Sequence, residues 1–157
     1  GGAAQAIAVQ LALEGAAELV VANRTVEKAV QLAELVEQAG GSARAVALSE
    51  LTADVVAACD AIVHTTSWGM APDTEVPPIV PTEMLHPNLL VCDIVYTPRE
   101  TSLLRAARER GCAVLRGLGM LVEQAALAFE LWTGVEAPVE AMRETLERAL
   151  AERAEGK

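Results

Sequence analysis

The chain has 157 residues and a formal net charge of −10, and it is 52% hydrophobic but only 3% aromatic. That length suits one domain with a real core; Ala, Val and Leu must build it, a composition that fits helices lying close on a parallel sheet. The acidic balance, with no Lys/Arg-rich run, argues against nucleic acid, and the lack of a membrane-length apolar run or a signal peptide argues against a membrane. Cys59, Cys92 and Cys112 show no metal-like spacing and read as buried thiols of a reducing, cytoplasmic compartment.

Gly1-Gly2-Ala3-Ala4 runs directly into a helical stretch that ends near Glu14, with Gly15 as its stop. Glycines at a helix start usually follow a strand in this kind of fold, and no initiator methionine is present. The expectation is a fragment of a longer protein, lacking the first central strand. Leu19-Val20-Val21-Ala22 is an apolar run of strand length. Thr25 opens a helix to about Gln38, with Ala29, Leu32, Ala33 and Val36 on one face. Residues 43–48 read as a short strand, 49–58 as a short helix and 61–64 as another strand. Residues 68–88 hold Pro72, Pro77, Pro78, Pro81 and Pro87 and read as a long irregular loop with one helical turn at 81–85. Residues 89–95 form a continuous apolar run, as expected of a strand buried on both faces. A helix at 101–110, a strand at 112–115 and helices at 120–132 and 139–152 follow; the charged tail through Lys157 is expected to fray.

Strand and helix alternate, which implies parallel pairing. The expected class is α/β: a Rossmann-like, doubly wound sheet in three layers, with residues 1–157 as one nucleotide-binding domain. In the usual strand order the absent first strand lies at the centre. Unpaired edges are then expected on either side of it, and these residues alone should be poorly stable.

The chemistry concentrates at the strand ends. Asn23-Arg24-Thr25, with Lys28 one turn on, follows the first strand, where an adenosine ribose lies in such folds. An acid there binds the free 2′-hydroxyl of NAD, whereas an arginine accommodates the 2′-phosphate of NADP. Arg24 can offer that phosphate a planar, two-pronged contact, and Thr25 can add a hydroxyl and cap the helix. Taken alone, Arg24 reads as a solvated loop arginine. Its neighbours reverse that: Gly1, Gly2 and Ala3 look like the end of a phosphate loop at a helix N-terminus, about twenty residues upstream as the ribose reader requires.

Thr65, Thr66 and Ser67 follow the strand ending at His64, with hydroxyls suited to ribose or nicotinamide; an ordinary polar turn explains them equally well. His64 reads as a packed or loop histidine rather than a base, and His86 as a loop residue. Tyr96, the chain's one tyrosine, lies past the next strand, where its phenol can reach a substrate. Asp93 reads as structural, holding its loop by accepting backbone N–H bonds. After the last strand, Gly117 and Gly119 permit close backbone approach, Met120 suits a flat ring, and Gln124 both donates and accepts, which suits a polyhydroxy substrate.

Gly1 to Ala4, Asn23-Arg24-Thr25 with Lys28, residues 93–101 with Tyr96 and Pro98, and Gly117 to Gln124 continuing to Gly134 occur in an order that resembles the C-terminal, NADP-binding domain of the shikimate/quinate dehydrogenase family. The resemblance covers nearly the whole chain. It implies reversible hydride transfer between NADPH and 3-dehydroshikimate, giving shikimate, in aromatic amino acid biosynthesis. It implies cofactor contacts for Gly1, Gly2, Ala3, Asn23, Arg24, Thr25 and Lys28, Ile94 near the nicotinamide, a Gly117 backbone contact to the cofactor, and substrate contacts for Tyr96 and Gln124. The family's catalytic lysine and aspartate belong to an N-terminal domain with no counterpart here, so this chain alone is expected to be inactive. His64 stands where the family more often has asparagine, and Trp68 is bulky for a variable loop position, which leaves quinate, with NAD or NADP, as an alternative. A non-catalytic NADP-binding module also stays open. The nucleotide domain of glutamyl-tRNA reductase, with a similar Asn-Arg-Thr stretch, is disfavoured by the block from Gly117 to Gly134 and by the acidic surface. The partners expected are a small-molecule substrate and, as an open expectation, a second copy in a homodimer.

Overall fold

The computed structural model describes residues 1–155, and the tail expected to fray as far as Lys157 ends outside them. Contacts divide the chain into two compact units, Gly1–Cys59 and Asp60–Lys157.

The first unit holds α1 (Gly2–Leu13), β1 (Leu19–Asn23), α2 (Val26–Gln38), β2 (Ala43–Ala47) and α3 (Ala53–Ala57). β1 and β2 are parallel, in register from Leu19 opposite Ala43 to Asn23 opposite Ala47. α2 covers both strands with the face its periodicity marks, burying Ala29, Ala33 and Val36. These small side chains let the helix lie close on the sheet. The helix expected over 49–58 is instead two pieces, a 3-10 turn at Leu48–Glu50 and then α3. Thr52 causes the break: its backbone is extended and its hydroxyl accepts the Val55 N–H, so a new helix starts there.

The second unit holds β3 (Ala61–His64), β4 (Leu90–Asp93), α4 (Ser102–Glu109), β5 (Ala113–Arg116), α5 (Gly117–Thr133) and α6 (Val139–Glu155). Its sheet runs β3-β4-β5, all parallel, with β4 in the centre. The proline-rich segment before β4 is irregular apart from a 3-10 turn at Thr82–Met84. Leu85, Leu89, Val91 and Leu104 are fully buried, each worth roughly 1.5–3 kcal/mol against exposure. α4 is strongly amphipathic and buries Leu103, Leu104, Ala106 and Ala107. Gly134 ends α5 in the left-handed conformation.

Two boundaries differ from expectation in ways that matter for the site. β4 stops at Asp93 rather than Val95, because the Asp93 carboxylate takes the Val95 N–H at 2.9 Å and turns the chain off the ladder. α5 begins at Gly117 rather than Met120, so Gly117-Leu118-Gly119 is the first helical turn and not a loop. The α/β class with parallel strands holds. The strands form one two-stranded and one three-stranded sheet; β1 and β3 each pair on one side only among the described residues. No helix of the described residues is long and apolar enough to cross a membrane. None of the three cysteines forms a disulfide, and burial pushes the Cys92 and Cys112 thiols up, which keeps them protonated and unreactive.

Gly41 fixes how α1 meets this layer. A Cβ on it would lie 2.6 Å from the Ala12 Cβ and 2.9 Å from a Val36 methyl. Gly41→Ala should therefore destabilise the protein by about 1–3 kcal/mol through overpacking, read as a lower urea midpoint at unchanged slope. A midpoint equal to wild type would show that α1 is not held at this point.

Candidate functional site

In the first unit, Ala12 near the end of α1 lies over Gly41, just before β2. α1 is about 18 Å long at 1.5 Å per residue, close to the length of a five-residue strand. The helix packs on α2. Gly1 supplies no side-chain cap and the first turn carries no acid, so the free N–H groups there offer partial positive charge to an anion.

At the tip of β1 the Asn23 side-chain oxygen accepts the Thr25 N–H at 2.9 Å, an Asx turn that leads into α2. Thr25 occupies the N-cap position, but its hydroxyl makes no capping bond. The capping expected of Thr25 is thus replaced by the turn Asn23 makes, and the Thr25 hydroxyl stays available. Arg24 and Lys28 are exposed, and neither forms an ion pair among the described residues. Two unpaired cations, an open hydroxyl and a fixed turn fit a dianionic phosphate group.

In the second unit, the three strand ends form a row: His64 is in register with Asp93, and Asp93 with Arg116. Thr65, Thr66 and Ser67 follow the first of these, Ile94 and Tyr96 the second, and Gly117, Met120 and Gln124 the third. Six of these candidate residues thus follow directly on the C-terminal ends of the unit's strands, with Met120 and Gln124 one and two turns into α5. Tyr96 is half-exposed and shares a small cavity with Arg99, Arg116, Leu118 and Glu147. The loop after β3 is tied to the loop after β4 by the Ala71 N–H, which donates to the Thr97 carbonyl at 2.9 Å. Trp68 spans the loop, its indole N–H donating to the Pro77 carbonyl at 2.8 Å.

Beneath this edge lies a buried polar chain. His64 and Asp93 are only 5% and 2% exposed. The Asp93 carboxylate receives three donors: His64 Nδ1 at 2.9 Å, the Val95 N–H at 2.9 Å and the Thr101 hydroxyl at 2.7 Å. Thr101 in turn caps α4, its Oγ1 accepting the Leu104 N–H at 3.3 Å. On the far side of the imidazole, His64 Nε2 bonds the Thr66 hydroxyl. Asp93 thus has the structural role expected of it, with two side-chain partners in addition. His64 packs as expected, and it also leads from the buried carboxylate to a candidate cofactor residue. The one sequence signal for that pairing is that both residues end neighbouring strands.

Gly117 is confined by the backbone it sits on. A Cβ there would collide with the Ile94 carbonyl and lie 2.9 Å from the Asp93 carbonyl oxygen. The α5 start is therefore seated directly on the backbone that leaves β4.

Removing the carboxylate should be costly. Asp93→Ala strands three buried donors and should lower unfolding free energy by about 3–5 kcal/mol, while Asp93→Asn, which keeps an acceptor, should lose less. Chemical denaturation of both variants checks this. Equal losses would mean that the charge, rather than the acceptor geometry, carries the contribution.

Two family models match the chain: Shikimate / quinate 5-dehydrogenase over residues 1–100, and Shikimate 5'-dehydrogenase C-terminal domain over residues 117–147. A shikimate dehydrogenase (NADP(+)) of Methanopyrus kandleri is 50% identical over 149 residues, covering 93% of this chain and 51% of the relative. Among solved structures, a quinate dehydrogenase of Corynebacterium glutamicum in complex with NAD superposes with a TM-score of 0.85 at 37% identity, covering 94% of this chain and 52% of the other. A shikimate 5-dehydrogenase of Listeria monocytogenes in complex with shikimate and NAD gives 0.84 at 36% identity, covering 93% and 53%. The chain spans about half the length of the curated relatives it matches. With nearly two thirds of its residues matched by the first model and half of them identical to a relative over almost its whole extent, the chain belongs to the shikimate / quinate 5-dehydrogenase family.

Proposed function

We propose that residues 1–157 form the NADP-binding domain of a shikimate dehydrogenase that interconverts 3-dehydroshikimate and shikimate. The observation that carries this reading is a pair of exposed cations without an ion pair among the described residues, Arg24 in the Asn23 turn at the tip of β1 and Lys28 in the first turn of α2. There they would hold the adenosine 2′-phosphate, with Asn23 and Thr25 completing the contact. Gly1, Gly2 and Ala3 would give backbone N–H groups at the α1 start to the pyrophosphate.

In the second unit, Thr65, Thr66 and Ser67 would contact the nicotinamide half, with Ile94, Gly117 and Met120 seating the ring. Tyr96 and Gln124 would orient the substrate's hydroxyls by hydrogen bonding. The bound cofactor supplies the hydride. The catalytic lysine and aspartate that the family resemblance implies correspond to no residue of this chain, so the proposal assigns them to a further domain of the enzyme. Cytoplasmic placement goes with the reading and is supported by the protonated thiols of Cys92 and Cys112. Homodimer formation also goes with it, supported by the exposed apolar side chains Leu131 and Trp132 on α5.

A second reading, quinate oxidation with NAD, is favoured by one observation: the solved relative with a TM-score of 0.85 is a quinate dehydrogenase in complex with NAD. Oxidation of shikimate and of quinate by the full-length enzyme, each with NADP and with NAD, separates the two. The expected result is turnover of shikimate with NADP. Turnover of quinate with NAD in its place would select the second reading, and NADPH binding without any turnover would point to a binding module.

Cofactor choice should rest on Arg24. Arg24→Ala should weaken NADPH by about 1.5–3 kcal/mol, on the order of 10–100-fold, and leave NADH nearly unchanged. Equal weakening of both cofactors would remove Arg24 from the 2′-phosphate.

A further inference from the structure

We propose that His64 is a positioning residue that sets which way the Thr66 hydroxyl faces at the mouth of β3: the hydroxyl presents an acceptor when the imidazole is neutral and a donor when it is protonated. The ligand's identity rests on the reading of residues 65–67 as cofactor contacts; the switch itself rests on the hydrogen bonds alone.

The argument is a count of donors and acceptors. Three donors converge on the Asp93 carboxylate, so His64 Nδ1 carries a proton. In a neutral imidazole Nε2 is then an acceptor, and its partner is the Thr66 hydroxyl. The same Thr66 oxygen accepts the Trp68 N–H at 3.1 Å. A hydroxyl has one proton and two lone pairs. With neutral His64 the proton points inward to Nε2, one lone pair serves Trp68, and the other faces outward. That form takes a donor group, such as a carboxamide N–H or a ribose hydroxyl. With protonated His64, both lone pairs are occupied by Nε2–H and Trp68 N–H, and the hydroxyl proton turns outward toward a carbonyl or an anion.

The surroundings allow the switch to be specific. The charged group in contact with His64 is Asp93 on β4. Arg116 on β5 is in register with Asp93 but makes no ion pair with it among the described residues. Glu100 is paired with Arg108 on α4 instead, and Arg105 on the same helix is exposed. Histidine is the side chain whose charge ordinarily changes near neutral pH.

The test uses the full-length protein as wild type, His64→Asn, Thr66→Val and Thr66→Ser. The NADPH dissociation constant is measured from about pH 8.5 down to about pH 5.5, the range in which histidines titrate, and NMR follows the His64 ring and the Trp68 amide. The cofactor's own 2′-phosphate titrates in all four proteins, so differences between them report the residues. The expected result is that the change in NADPH affinity on acidification differs by about 3–10-fold between wild type and His64→Asn, the span of one net hydrogen bond. The midpoint should coincide with the His64 titration. Thr66→Ser should keep the wild-type profile and Thr66→Val should lose it. Identical profiles for wild type and His64→Asn would overturn the proposal, and so would a His64 ring that never titrates in this range. If NADPH binds at no pH, the cofactor reading fails, and the Trp68 amide alone decides: it should shift with the His64 titration, and an amide that stays still overturns the switch.

Discussion

The second unit depends on one buried carboxylate. Asp93 ends the central strand, receives a histidine, a backbone amide and a threonine hydroxyl, and is almost wholly removed from water. A charge so placed is tolerable only because every lone pair that matters has a donor. The three donors come from the neighbouring strand, from the segment that leaves β4 and from the N-terminus of α4. One side chain therefore determines where β4 stops, how α4 begins and how the β3 end is turned. Gly117 adds the remaining element, because α5 starts against the Asp93 and Ile94 carbonyls with no room for a methyl group.

Elements whose apolar period is self-sufficient were legible in the sequence. The α2 face of Ala29, Ala33 and Val36 is buried as its spacing demands, and β1 to β5 lie where apolar runs meet turn residues. The errors fall where a polar side chain overrides the pattern. Val95 belongs to the apolar run, yet the Asp93 turn removes it from the ladder. Thr52 splits a stretch that reads as one helix. The two glycines at 117 and 119 look like a loop, but packing seats them in a helix, since tertiary contact outweighs the intrinsic cost of glycine there.

The candidate residues were legible in a different way. The Asn-Arg-Thr triplet and its lysine stand out as a candidate anion site by their distance from Gly1 and Gly2, and the Asx turn at Asn23 fixes the chain there. His64 was not legible as a partner of Asp93, because 29 residues separate them and only strand register brings them together. A residue whose role depends on register carries no local signature. The contrast follows the physics: the proposed phosphate contacts draw on neighbours in sequence, whereas the polar chain beneath the second unit's edge draws on neighbours in space.

The sequence contains two tryptophans, and they sit in opposite circumstances. Trp132 is 85% exposed near the end of α5, while Trp68 is 37% exposed with its indole N–H held by the Pro77 carbonyl. A water-soluble quencher reaches the first freely and the second only in part. The emission that survives quenching therefore comes largely from an indole in the loop after β3, next to Thr66. The molecule has a native fluorophore at the place where its loop geometry is set, and spectroscopy of that loop needs no added label.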